Sequence, residues 1–585
     1  MTDLHFSPRP NRAAEIDWQP WAPETFARAK ILGRPILLSI SAVWCHWCHV
    51  MDETSYSDDA VIAAIREKYV AIRVDNDERP DVNARYNMGG WPTTAFLAPD
   101  GTTITGATYL PPAEMRRALD EIAGFYAANR EQIAQRALEL RDRKRGYEPA
   151  ARTELTAAMI EPVVASLLEN YDPQYGGFGS APKFPQTDAH EFLLAEYRAT
   201  GDGRLLEIVA NTLQHMASGG TYDHVEGGFF RYSTTRDWSV PHFEKMAEDH
   251  AGLLRICAAL AATTDAPWVR ETLRSATAYV RTVLRDDATG FFAGSQDADE
   301  AYFALPLDGR RALDAPYVDR RNYSNWTAGL ASAFFAVARA LDDAAFAREA
   351  TVALDGLHER MLDDGGLLFH VLAPGAPPAV RGLLTDQVAY LRALLDAHEH
   401  TGEDRFLTRA IAIADRIHDV FEAPDGGFYD HAGLEEPIGN LTIADRPIGE
   451  NGTHAESLLR LAGLTGEERF HQAAERALLL YAKTYAAAGS FAATYCRALR
   501  RLVSPERSVR IVGTSAETAG LRAGALALAD PLLTVRTVAP DQAGAFGLPA
   551  TAATAYLCAG TTCGAPVESP SGLAAARETL LAGAA

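Results

Sequence analysis

The chain has 585 residues, more than one hydrophobic core organises, with 47% apolar and 23% charged residues, an ordinary globular balance. Its 55 basic against 77 acidic side chains leave a formal charge of −22, which excludes the basic face that a nucleic-acid partner needs and disfavours an anionic membrane surface. No basic segment followed by an apolar run opens the chain and no run nears the ~18 apolar residues of a membrane span, so the expected setting is cytoplasmic, without a membrane partner.

Residues 36–41, Ile-Leu-Leu-Ser-Ile-Ser, read as a buried strand. A Cys-x-x-Cys and a helical pattern to about Lys68 follow, then strands at Val70–Val74, Thr94–Leu97 and Thr102–Tyr109, and a closing helix from Pro112 to Ala128. This order predicts a small α/β domain over 1–130. The Arg-rich stretch 131–152 reads as helix and linker.

The dithiol lies in Val43-Trp-Cys-His-Trp-Cys-His49. Between a buried strand and a helix, Cys45 falls at the helix N-terminus, where free N–H groups and the macrodipole favour thiolate. Cys48 is spaced to resolve a mixed disulfide, and His46 adds a positive neighbour. Trp91-Pro92 precedes a strand, and a cis bond there presents the Trp91 backbone to an extended substrate. Competing readings are a haem-attachment string, a zinc site from Cys45, Cys48, His46 and His49, and a structural dithiol without redox work. The first needs export, and the second needs converging donors, whereas adjacent residues at a helix start point apart. Nothing in the sequence calls for a cofactor or a resident metal. Cys257 and Cys496 stand alone in helical sequence and read as core thiols.

From 153 to 502 the pattern is helical and repeats around Gly-Gly-aromatic turns at Gly176-Gly177-Phe178, Gly227-Gly228-Phe229 and Gly426-Gly427-Phe428. Twelve helical stretches pair into six hairpins, the first with the last, which predicts an all-α (α/α)6 toroid; an open helical solenoid is the alternative. Polar clusters recur at the start of alternate helices: Tyr222, Asp223 and His224; Arg231; His242, Glu244 and Lys245; Asp297 and Asp299; Trp326; Asp386; Glu450 and Asn451. If those helices line the ring, the clusters meet at one rim. Carboxylates with histidines and aromatics suit sugar chemistry, whereas the plainer reading makes each one a helix cap. The tail 503–585 returns to short strands and helices, a small α/β appendage. Cys558 and Cys563 form a second close pair, of nonstandard spacing.

Trp18-Gln-Pro-Trp21, Cys45-His-Trp-Cys-His-Val-Met51, Gly89-Gly-Trp-Pro92, Pro182-Lys-Phe-Pro185, Val240-Pro-His-Phe-Glu-Lys-Met246 and Gln296-Asp-Ala-Asp299 together resemble the YyaL / spermatogenesis-associated protein 20 family. That resemblance implies a thioredoxin-like domain fused to a six-hairpin, glycosidase-like toroid. Three departures stand out. The segment Glu300–Arg321 is short, Gln296 replaces a glutamate, and the strand before Trp44 lacks the buried acid of thioredoxins proper. The function expected first is thiol–disulfide exchange or redox response, with Cys45 attacking, Cys48 resolving, Pro92 orienting, and a protein thiol or disulfide as partner. A carbohydrate-active enzyme holding a sugar-like molecule at the toroid rim, with a regulatory dithiol, comes second. A non-catalytic binding protein comes third.

Overall fold

The computed structural model describes residues 4–144, 153–432, 437–551, 553–560 and 562–584. Its N-terminal sheet has strands β1 (Ile36–Ser41), β2 (Val70–Asp75), β3 (Thr93–Leu97) and β4 (Thr103–Ala107), in the order β2-β1-β3-β4. β1 runs parallel to β2 and antiparallel to β3, which pairs antiparallel with β4. β1 is apolar on both faces because helices cover both. Leu37 joins Met51, Val61, Ile65, Met115 and Leu119 on one side, and Ile36, Leu38 and Ile40 join Phe26, Val82 and Tyr86 on the other. The helix Pro112–Lys144 bends at Asn129. Residues 145–152 of the expected linker lie outside the described residues.

The helices Thr187–Thr200, Ala247–Ala261, Ser324–Leu341, Leu384–Thr401, Ile448–Thr465 and Ala493–Val503 form an inner ring. Each packs on the next and the last packs on the first, so the ring is closed. Burial separates the layers. Outer Asp404–Phe421 buries one stripe, Phe406, Leu407, Ala410, Ile413, Ala414, Ile417 and Phe421, at the spacing of an amphipathic helix. Inner Ser324–Leu341 is buried almost all round. Cys257 and Cys496 are buried thiols of the inner helices, as expected.

The glycine turns share one lock. Lys183 donates to the Asp172 carboxylate (2.7 Å) and the Gly176 carbonyl (2.6 Å); Lys245 to Asp223 (2.7 Å) and Gly227 (2.8 Å); Arg446 to Asp425 (2.6 Å) and Gly426 (2.7 Å). Each cation lies within four residues of the start of an inner helix, so the lock ties an outer-layer turn to the ring. A five-stranded antiparallel sheet on the rim was not foreseen. It joins Lys245–Met246, Ala293–Gln296, Val318–Tyr323, Phe369–Leu372 and Ala379–Arg381.

 The strand Phe369–Leu372 sits second from its edge and carries His370 toward the N-terminal domain.

The C-terminal strands Arg507–Val512, Leu533–Val538, Thr554–Ala559 and Thr562–Cys563 repeat the topology of the N-terminal sheet. The first is parallel to the second and antiparallel to the third, which turns back into the fourth. Cys558 and Cys563 face each other across that hairpin and are joined as a disulfide. The two sheets close opposite ends of the ring. At the C-terminal ends of the inner helices, Arg522 donates to the His400 carbonyl (2.8 Å), Ser515 to that of Thr401 (2.5 Å), and Arg536 to that of Leu464. Donors there satisfy the carbonyls a helix leaves free. At the other end, Leu441 and Ile438 pack into the core of the N-terminal domain. Gly101 and Gly439 approach so closely that a Cβ on Gly101 would lie 2.4 Å from the Gly439 Cα. Among the described residues no helix is long and apolar enough to cross a membrane.

Candidate functional site

Cys45 caps the helix His46–Glu53, and its sulfur accepts the Cys48 N–H at 3.1 Å. The two cysteines are joined as a disulfide, and the Trp91-Pro92 bond is cis. The pair is covered: Cys45 is 4% and Cys48 2% exposed. Trp44 and Trp91 wall it from its own domain, and Met246 and Trp326, at the starts of two inner helices, wall it from the toroid. The dithiol therefore sits in the seam between domain and ring.

Several rim candidates gather there. Arg231 lies over Trp44 (4.0 Å) and Trp91 (5.1 Å). His46 faces Glu300 at 3.4 Å and the His242 ring at 6.3 Å. Nδ1 of His242 meets Glu244 at 2.8 Å, and the ring stacks on Tyr232, which stacks on Phe184. Burial opposes charge on His242, but the Glu244 carboxylate holds its pKa above the ordinary histidine value. Asp297 is 3.8 Å from His49. Burial, then Glu244 and Asp299, push the Asp297 carboxyl up to about 8. Burial, then His5, bring His49 down to about 3.

Below them, the first turns of the inner helices present further acids. Burial pushes Asp249 up to about 7, with Arg231 opposing and Glu248 and Glu244 adding to the rise. Glu450 is raised by burial and by Asp430, Asp188 and Glu248. Glu248 and Asp188 nevertheless keep solvent access, and a Cβ on Gly449 would meet nothing within 4 Å. These acids face one another across the capped end of the ring. Deeper, the ring is ion-paired: Glu191 bonds Arg255, Arg392 and Arg497, and Arg460 bonds Asp396.

Other rim candidates turn elsewhere, which corrects the expectation that all share one pocket. Asp223 and Lys245 pair at a turn, with Arg310 also on Asp223 at 2.7 Å. Tyr222 packs edge-on against Phe229, and His224 bonds the Gly219 carbonyl. Asp299 caps its own short helix through the Tyr302 N–H, and Asn451 ties the Phe428 backbone. Asp386 holds His370. Neither of two clefts, about 570 Å³ beside Asp425 and Arg476 and about 250 Å³ beside Asp17 and Tyr69, is lined by a rim candidate.

The sequence reading missed residues of the seam. Asp77 accepts the Trp44 indole N–H at 2.8 Å, and burial, then Asp75, raise its pKa. A buried acid thus stands beside the Cys-x-x-Cys segment, supplied by the loop after β2 rather than by β1. Arg321 bonds Asp75 (3.2 Å) and Glu78 (2.7 Å) across the seam, and Arg85 bonds Asp430 (2.6 Å). His5 and His370 also reach it. Asp75 and Glu78 lie at and just after the end of the predicted strand Val70–Val74, where a signal was present; His5 and His370 had none.

The sheet order, the Cys-x-x-Cys helix and the cis proline make the N-terminal part thioredoxin-like. Residues 9–144 match the Thioredox_DsbH family, described as a protein of unknown function, DUF255. The chain is 34% identical over 329 residues to spermatogenesis-associated protein 20 of Homo sapiens, a match over 52% of this chain and 41% of that protein. It therefore spans well under two thirds of that relative's length. It is also 29% identical over 103 residues to the thiol:disulfide interchange protein DsbD of Yersinia pestis (strain Pestoides F), covering 17% of each. Among solved structures, the cellobiose 2-epimerase from Spirochaeta thermophila DSM 6192 overlaps 60% of this chain and 99% of its own, at 14% identity and a TM-score of 0.47.

Proposed function

We propose that the chain is a thiol–disulfide oxidoreductase whose redox pair faces inward, toward a small substrate held between the N-terminal domain and the ring. The burial of Cys45 and Cys48 beneath Met246 and Trp326 carries this reading. An extended protein substrate has no access to a sulfur so enclosed, so burial favours a small disulfide over a protein partner. In the reduced enzyme, the Cys45 thiolate attacks a substrate disulfide R–S–S–R′, forming Cys45–S–S–R and releasing R′S⁻. Cys48 then attacks Cys45, releases RS⁻ and leaves the Cys45–Cys48 disulfide; two electrons pass to the substrate. The helix N-terminus stabilises the attacking thiolate, and the raised Asp77 carboxyl is a nearby group able to hold a proton near neutral pH.

The test compares reduced protein acting on glutathione disulfide and on insulin. The small disulfide should be reduced at least tenfold faster, and Cys45→Ser should abolish both activities. Equal or faster insulin reduction defeats the inward-facing reading, and no reaction with either defeats the redox reading.

The acids Glu248, Asp249 and Glu450 support a second reading, in which they do acid–base work on a sugar-like molecule. Glycan binding by the full chain that weakens in Glu450→Gln and not in Cys45→Ser would favour it.

A further inference from the structure

We propose that His5, His49 and Asp297 form a binding site for a divalent transition-metal ion of the zinc class, and that the ion fastens the N-terminal domain to the toroid. One donor atom from each of the three side chains lies within 4.8 Å of the other two. The His49 Nε2 to Asp297 Oδ2 distance is 3.8 Å, and the two imidazole centroids are 6.0 Å apart.

Two features point to a ligand rather than to a chance cluster. The Nε2 atoms of both His5 and His49 are buried and have no hydrogen-bond partner. Buried polar atoms are rarely left so, and here two of them flank one carboxylate. Surrounding contacts orient the three side chains, as outer contacts orient metal ligands. The Val43 backbone engages the His49 ring by a hydrogen bond, which directs its other nitrogen inward. The Ala298 N–H occupies Asp297 Oδ1 at 2.8 Å, leaving Oδ2 toward the histidines. His5 stacks on Tyr317 (4.9 Å between centroids), whose carbonyl accepts the Asp297 N–H at 2.8 Å. The Arg73 guanidinium bonds the His5 carbonyl at 3.2 Å and anchors that segment.

Two imidazoles and one carboxylate suit zinc, at bonds of about 2.0–2.2 Å and with a coordination position left for water or substrate. Donors on such an ion stand about 3.3 Å apart, so the side chains close by roughly 1 Å on binding. The three ligands come from the N-terminal segment, the helix that carries the dithiol, and the toroid rim. An ion there crosses the seam one residue from Cys48. The site uses neither cysteine, and it stands whether or not the dithiol does redox work.

The experiment titrates full-length protein, its disulfides oxidised, with Zn²⁺ against a chromophoric chelator. One equivalent should bind, and His5→Gln and Asp297→Asn should each weaken binding at least tenfold. Cys45→Ser should leave it unchanged. Cobalt in place of zinc should give a visible ligand-field spectrum without a thiolate charge-transfer band. Circular dichroism checks folding; if Asp297→Asn does not fold, His5→Gln alone decides. Absence of stoichiometric binding, binding unaffected in His5→Gln, or binding lost in Cys45→Ser overturns the proposal.

Discussion

His370 of the toroid rim reaches Asp77 of the N-terminal domain, its Nε2–H donating to the Asp77 carbonyl at 2.7 Å. Its other nitrogen meets the Asp386 carboxylate at 2.9 Å. A carbonyl only accepts, so Nε2 carries a proton, and the carboxylate favours a second one on Nδ1. The ring, buried at 2% exposure, acts as a clamp across the seam.

The clamp makes domain docking pH-dependent. Burial works against the charge on His370, but Asp386, the Asp77 carbonyl and Asp81 outweigh it and raise the pKa above the ordinary value. A proton held more tightly when folded stabilises fully below the unfolded histidine value of about 6.5, and the contribution is lost as pH rises through the folded value. Calorimetry between about pH 6 and pH 9 should show a thermal midpoint that falls with pH in the parent and falls less in His370→Gln. Equal slopes would rule the clamp out.

Reduced Cys45 should titrate below the free-thiol value of about 8.5. The capping position and the Cys48 N–H bond to its sulfur favour thiolate, while burial opposes it. Alkylation rate against pH gives the midpoint; a value at or above about 8.5 removes the activated-nucleophile role. Glu300 faces His46 and offsets any positive charge there, so Glu300→Gln should lower the midpoint further.

Arg231→Ala should loosen the roof of the dithiol. The guanidinium lies 4.0 Å from the Trp44 ring centroid, a partly buried contact worth about 1–2 kcal/mol. Denaturation followed by tryptophan emission should show that loss, and Cys45 of the reduced variant should alkylate faster than in the parent. Unchanged stability and reactivity would mean that the contact contributes nothing.

Much of the fold was legible because its signals are local and periodic. The twelve helices carry amphipathic or buried stripes many turns long, and the strand–CxxC–helix passage is compact. The five-stranded rim sheet was not legible, since its strands run only two to six residues and pair across long loops. The site was half legible. Glu244 and His242 were found because their polar cluster precedes an inner helix, and Asp297 because two acids cluster in Gln296-Asp-Ala-Asp299. The roles of Asp223, Asn451 and Asp386 as tethers depend on which way each side chain turns, and one residue of register decides that. The acid beside Trp44 was sought in β1 and came instead from Asp77, brought there only by the fold.

Adjacent residues 244 and 245 give the sharpest test of that division. Glu244 bonds His242 beside the dithiol, whereas Lys245 points to the opposite side and locks Asp223 and Gly227, as alternation along an extended segment requires. Lys245 is fully buried and Asp223 nearly so. Lys245→Met should therefore cost about 3 kcal/mol, toward the low end for breaking a buried pair because Arg310 still neutralises Asp223. It should leave the Cys45 alkylation midpoint unchanged. Glu244→Gln should do the reverse: a small change in stability, and a lower His242 titration midpoint by NMR as the ring loses its carboxylate. If Lys245→Met proves stable, the turn lock is not a structural requirement. If His242 titrates as before in Glu244→Gln, the pair does not set the charge beside the dithiol, and Glu244 belongs with the tethers.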